Sequence, residues 1–133
     1  MHPNYDDANP PHYDFAIFVL DGASTYDVIE LDDGSTSLAT GDDIITAGWG
    51  ITESGATSDV LLEVSMDYYT NKKCSQKWWG EYITDDMLCL WADGKSSCNG
   101  DSGGPTFVEN SDGSVTQVGE YVASDYLFHV LCF

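Results

Sequence analysis

Hydrophobic and polar positions alternate in short bursts along this chain, and the bursts read as β-strands separated by turns. Phe15 to Leu20 is a compact apolar, partly β-branched run, with an Asp- and Pro-rich stretch before it and Asp21-Gly22 after. Val28 to Leu31 alternates and is closed by Asp32-Asp33-Gly34-Ser35. Ile44 to Ala47 leads into Gly48-Trp49-Gly50, and Val60 to Met66 has the mixed pattern of a strand with two environments. Asn110-Ser-Asp-Gly113 separates Pro105–Val108 from Val115–Val118, a strong hairpin signal. Only residues 71 to 79 suggest a helix, with Lys72, Lys73 and Lys77 on its outer face. Many short strands with turns between them predict an all-β barrel or sandwich.

Composition narrows the function classes. The formal net charge is −19, from 23 acidic residues against 4 lysines, so no basic stripe exists to neutralise phosphates. Nucleic acid and anionic lipid are excluded as partners on that ground, and no apolar run is long enough to span a bilayer. Disorder is opposed by 4 Trp, 8 Tyr and 5 Phe. The paired aspartates Asp6-Asp7, Asp32-Asp33, Asp42-Asp43 and Asp85-Asp86 lack the alternating ligand spacing of a calcium loop and read as a solvated acidic surface. Cys74, Cys89, Cys98 and Cys132 form an even set, as in secreted proteins, with no CxxC pair for zinc. Residues 1 to 20 nonetheless lack the basic start and apolar stretch of a signal peptide, a conflict that a missing upstream part resolves.

The chemistry concentrates at Cys98-Asn-Gly-Asp-Ser-Gly-Gly-Pro105. Gly100 to Gly104 satisfies the loose G-x-S-x-G pattern of α/β-hydrolases, but there the serine opens a helix. Gly103, Gly104 and Pro105 oppose a helix, because Gly is about 1 kcal/mol and Pro roughly 3 kcal/mol worse than Ala in one. A tight loop running into a strand fits better. Gly100 lets the backbone bend until its own amide and that of Ser102 face one point, where they stabilise a tetrahedral oxyanion. Ser102 then needs a base, since a free hydroxyl is a weak nucleophile.

These residues resemble the active-serine signature of the chymotrypsin and trypsin family of serine endopeptidases. His12-Tyr-Asp-Phe-Ala-Ile17 is similar to the family segment carrying the triad aspartate, with Tyr13 replacing the usual Asn, and Thr46 to Gly50 resembles the segment opening the second barrel. The resemblance implies an incomplete chymotrypsin-like double β-barrel, with residues 1–35 a remnant of the first barrel and linker and 36–133 a truncated second barrel. It implies Ser102 and Asp14 as catalytic residues and Gly100 with Ser102 as the oxyanion hole. Ser96, Asn99 and Ser124 are implied to bind substrate, with Ser96 at the pocket floor. An uncharged floor favours large apolar or aromatic side chains over Arg or Lys.

Cys74 with Cys89 is the implied loop disulfide, and Cys98 with Cys132 the implied pocket pair, although Tyr126 to Phe133 lacks the strand and helix the family places there. Ile44 and Val108 occupy two places that many members bridge by a disulfide, so an aliphatic contact is expected in its stead. Protein or peptide substrates, protease inhibitors as further partners, a monomer, an extracellular location and no cofactor or metal complete what the family implies.

The triad also needs a histidine base, and the family's Ala-Ala-His-Cys motif is absent from these residues. His12 is too close to Asp14 to reach Ser102 independently, and His2 and His129 read as solvent-facing or packing residues. The chain alone is therefore expected to be inactive as a peptidase. Asp101, which in the family pairs with an amino terminus freed by cleavage, meets no Ile-Val-Gly-Gly-like start. It is expected to be a solvated acid in a disordered, zymogen-like loop. The alternatives are a non-catalytic homologue that uses the barrel as a binding module, and an α/β-hydrolase esterase.

Overall fold

A computed structural model describes residues 1–7, 12–77 and 83–122. Among them the chain forms β1 (Glu30–Leu31), β2 (Asp43–Gly48), β3 (Leu62–Tyr69), α1 (Asn71–Lys77), β4 (Cys89–Trp91), β5 (Pro105–Glu109) and β6 (Val115–Glu120). The strands make one sheet in the order β1-β6-β5-β2-β3-β4. Every neighbouring pair is antiparallel except β1 with β6. The all-β expectation holds, and a helix after Ser102, as an α/β-hydrolase requires, is absent: Pro105 starts a strand instead.

Side-chain period explains the layering. In β3, Val64, Met66 and Tyr68 turn to the core while Glu63 and Asp67 face out. Ile44, Met66, Leu90, Val108 and Tyr121 form the main buried cluster. Ile45 opposite Phe107 and Thr46 opposite Thr106 set Ile44 alongside Val108, so the expected aliphatic contact is where the register places it. Thr46 and Thr106 share a buried hydroxyl–hydroxyl hydrogen bond of 3.1 Å between β2 and β5. The β5–β6 hairpin turns through Asn110 to Gly113, with the Gly113 N–H donating to the Asn110 carbonyl at 2.9 Å. A register shift between Thr106 and Phe107 bends the far end of this ladder, where β5 begins.

Thr70 caps α1: its hydroxyl accepts from the Lys73 N–H at 3.3 Å. The helix turns Cys74 inward, where it is bridged to Cys89 on β4, and Met87 packs beside the bridge. Phe15 to Leu20 departs from expectation. It forms no strand, and Ile17, Phe18 and Val19 are 82%, 85% and 94% exposed. A strand is stable only when paired, and no described strand lies alongside this run.

Candidate active site

Ser102 sits on an exposed turn between Cys98 and the start of β5. The turn is built by backbone bonds: Asp101 N–H donates to the Cys98 carbonyl at 3.0 Å and Gly104 N–H to the Asp101 carbonyl at 2.8 Å. Gly100 lies at φ 99°, a conformation that strongly favours glycine at the third position of such a turn. Gly103 N–H donates to the Tyr121 carbonyl at 2.6 Å, and Tyr121 N–H returns a bond to the Gly104 carbonyl at 2.9 Å. These bonds tie the serine turn to the buried end of the β5–β6 ladder. Neither the Gly100 nor the Ser102 amide donates a hydrogen bond among the described residues.

Asp101 corrects the expectation of a solvated acid in a disordered loop. Its Oδ1 accepts from the Gly50 N–H at 2.7 Å and its Oδ2 from the Cys98 N–H at 2.8 Å, so both carboxylate oxygens are held by main-chain donors. The Ile51 N–H also donates to the Asn99 carbonyl at 2.9 Å. Residues 48–51 thus grip the serine turn at several points. Sequence reasoning had no means to see this, since Gly50 and Asp101 are 51 positions apart.

Ser96 lines a cavity of about 800 Å³ together with Gly48, Gly50, Val64, Cys98 and Asp101. Ser97 also lines it, and its buried Oγ has no hydrogen-bond partner among the described residues. Asn99 is exposed on the turn. Cys98 is unbridged among the described residues, while Ser124 and Cys132 lie outside them, as does any Cys98–Cys132 pairing. His, Cys, Asp and Glu side chains form no group of three able to hold a metal ion among the described residues.

Asp14 is exposed and makes no hydrogen bond to Ser102. Its charge does reach Glu120, whose carboxyl is pushed above the usual range first by burial and then by Asp14. Glu120 pairs with Pro105 across the ladder, so Asp14 lies toward the end of the sheet from which the serine turn springs. Glu120 was not singled out from sequence; a lone acid at a strand end carries no signal. Tyr13, just before Asp14, holds φ 52°, a region that Asn enters more readily than Tyr.

The two histidines among the described residues, His2 and His12, are engaged elsewhere. His2 stacks on Tyr13 at 4.9 Å between centroids, and its Nδ1 accepts from the Asn4 N–H at 3.2 Å. An accepting Nδ1 is the opposite tautomer from one that donates to a triad aspartate. The His12 Nδ1 faces Asp86 Oδ2 at 3.4 Å, not Asp14. Asp86 itself is held below the usual carboxylate range, first by the Thr84 hydroxyl and further by His12. No described histidine is positioned by Asp14.

A family model described as Trypsin matches residues 1–125. The chain is 38% identical over 104 residues to Trypsin eta of Drosophila melanogaster, covering 76% of this chain and 39% of that protein. It is 34% identical over 116 residues to Trypsin eta of Drosophila erecta, covering 80% and 44%. It is 33% identical over 124 residues to Phenoloxidase-activating enzyme 1 of Spodoptera litura, covering 89% and 33%. The chain therefore spans less than half the length of each of these relatives.

Proposed function

The chain belongs to the trypsin family of serine proteases, and from that premise we propose that it carries the nucleophile half of a serine endopeptidase site. Ser102 attacks the scissile carbonyl as its hydroxyl proton passes to the base, and the Gly100 and Ser102 amides hold the resulting oxyanion. Collapse of this intermediate breaks the C–N bond, the amine leaves with that proton, and the acyl-enzyme remains for water to hydrolyse. Asp14 orients the base, and Ser96, Asn99 and Ser124 contact substrate. The observation that carries the reading is the Gly100–Ser102 turn, held from both sides, with neither of those two amides donating to another described residue.

The mechanism also needs a proton acceptor within about 3 Å of the serine hydroxyl. His2 and His12 are turned to other partners, and His129, outside the described residues, reads from sequence as a surface or packing residue, so these 133 residues alone lack the base and are inactive as a peptidase. The apolar face of the exposed run Ile17 to Leu20 suits burial against further chain. The substrates are proteins or peptides, cut after large uncharged side chains because Ser96 offers no counter-charge to Arg or Lys. The Cys74–Cys89 bridge supports an extracellular location, since such bridges persist in oxidising compartments. Protease inhibitors are the natural partners of such a site, and the working form is a monomer.

The test is peptide hydrolysis by this chain and by the product of its transcript extended upstream of Met1. The extended protein is expected to carry a histidine in an Ala-Ala-His-Cys context, to cleave after aromatic residues, and to lose activity in Ser102→Ala. Equal activity in the 133-residue chain, or activity surviving Ser102→Ala, contradicts the proposal. A genuine start codon at Met1, with a promoter before it, favours a non-catalytic homologue that binds a partner.

A further inference from the structure

We infer that Gly48 and Gly50 are positioning residues for the oxyanion turn, acting through Asp101. The inference deepens the peptidase reading and rests on it for the meaning of that turn. Glycine usually marks a backbone conformation, but neither residue adopts a positive φ. Gly48 ends a strand, where glycine weakens pairing relative to a residue with a side chain. Space, not conformation, explains both.

A Cβ on Gly48 would overlap Asp101 Oδ1 and stand 2.9 Å from Asp101 Cγ. A Cβ on Gly50 would stand 2.5 Å from Oδ2 and 2.6 Å from Oδ1 of the same carboxylate. The carboxylate fills the room that two missing side chains leave, and that seat lets its oxygens meet the Gly50 and Cys98 amides. Gly50 also lies directly against the turn: a Cβ on Gly100 would come within 3.1 Å of the Gly50 Cα. Displacing Asp101 releases the Cys98 amide and, with it, the chain segment that presents Gly100 and Ser102.

The test is a double-mutant cycle on the full chain, read by thermal and urea unfolding and by amide NMR spectra. Gly48→Ala is expected to lower the melting midpoint by about 5 °C or more, as an overpacked position does in a domain of this size. The Asp101→Ala background removes the two atoms nearest that methyl, Oδ1 and Cγ, and leaves the Cβ at 3.2 Å. There the urea loss from Gly48→Ala is expected to shrink at least about twofold. Gly48→Ala alone also moves the amide resonances of Cys98, Gly100 and Ser102, which a purely local strand defect leaves in place.

A variant that unfolds alone but folds with Asp101→Ala supports the cradle. Equal losses in both backgrounds, or resonance changes confined to residues near 48, overturn it. Hydrogen exchange of the unmutated chain needs no variant: Gly50 and Cys98 amides are protected and the Gly100 amide is not, and fast exchange at Gly50 and Cys98 overturns the inference. These readouts do not involve the serine's reactivity, so a failed cradle and a failed peptidase reading are told apart.

Discussion

Asp101→Ala is expected to be among the most costly single changes near the site. The carboxylate accepts two main-chain hydrogen bonds, 2.7 Å from the Gly50 N–H and 2.8 Å from the Cys98 N–H, both in the charge-assisted range. Bonds to a charged group contribute about 1.5–3 kcal/mol each. Gly50 is buried, so its released N–H is stranded, whereas Cys98 is half-buried and its N–H regains water more easily. Adding the upper part of the range for one and the lower for the other gives a loss of about 4 kcal/mol. With a urea slope of about 2 kcal/mol/M, the unfolding midpoint falls by about 2 M. Asp101→Asn keeps one acceptor oxygen and turns an amino group toward the second donor, so its loss falls between wild type and Ala. Urea unfolding followed by tryptophan fluorescence measures the series. An Asp101→Ala protein within about 0.5 kcal/mol of wild type refutes the reasoning, as does an Asn variant less stable than Ala.

Four further outcomes follow from the same structure. Replacing both Cys74 and Cys89 by Ala opens a bridge between residues 15 apart, and the chain-entropy estimate for such a loop is about 3 kcal/mol, measured as the shift in the urea midpoint. Thr46→Val or Thr106→Val alone strands the other buried hydroxyl at a cost of about 1–3 kcal/mol, while the double change is expected to cost less than either, as thermal unfolding reports. Glu120 has a raised carboxyl pKa in the folded state, so its stability contribution is full below the ordinary value and declines as pH rises through the raised one. Glu120→Gln is accordingly expected to stabilise the chain at pH 7 by less than about 1 kcal/mol, its partial exposure limiting the gain, with no gain in acid. NMR titration of Glu120 in Asp14→Asn should show its pKa moving down.

How far the sequence was readable depended on the range of the interaction. The β5–β6 hairpin was legible because its turn residues and its alternation are both local. β2 and β3 were legible to within a few residues for the same reason. β4, three residues of Cys89–Trp91, is too short to show a period and was not anticipated. Phe15 to Leu20 has a strand's composition, but composition reports a preference for burial and cannot supply the neighbour. At the site, the serine turn was legible from its string of glycines. The seat of Asp101 was not, because it depends on two glycines about fifty positions earlier whose role is to leave space. The link between Asp14 and Glu120 is likewise set only by tertiary packing.

The most direct test of the central claim is the reaction of Ser102 with a serine-directed fluorophosphonate. The probe needs an activated hydroxyl and an oxyanion site, so it reports nucleophile, base and turn together. Mass spectrometry of the 133-residue chain after brief exposure should find Ser102 essentially unmodified, whereas the upstream-extended protein should be labelled at Ser102 alone. Rapid stoichiometric labelling of Ser102 in the short chain would contradict the account, because it would require a base already in place.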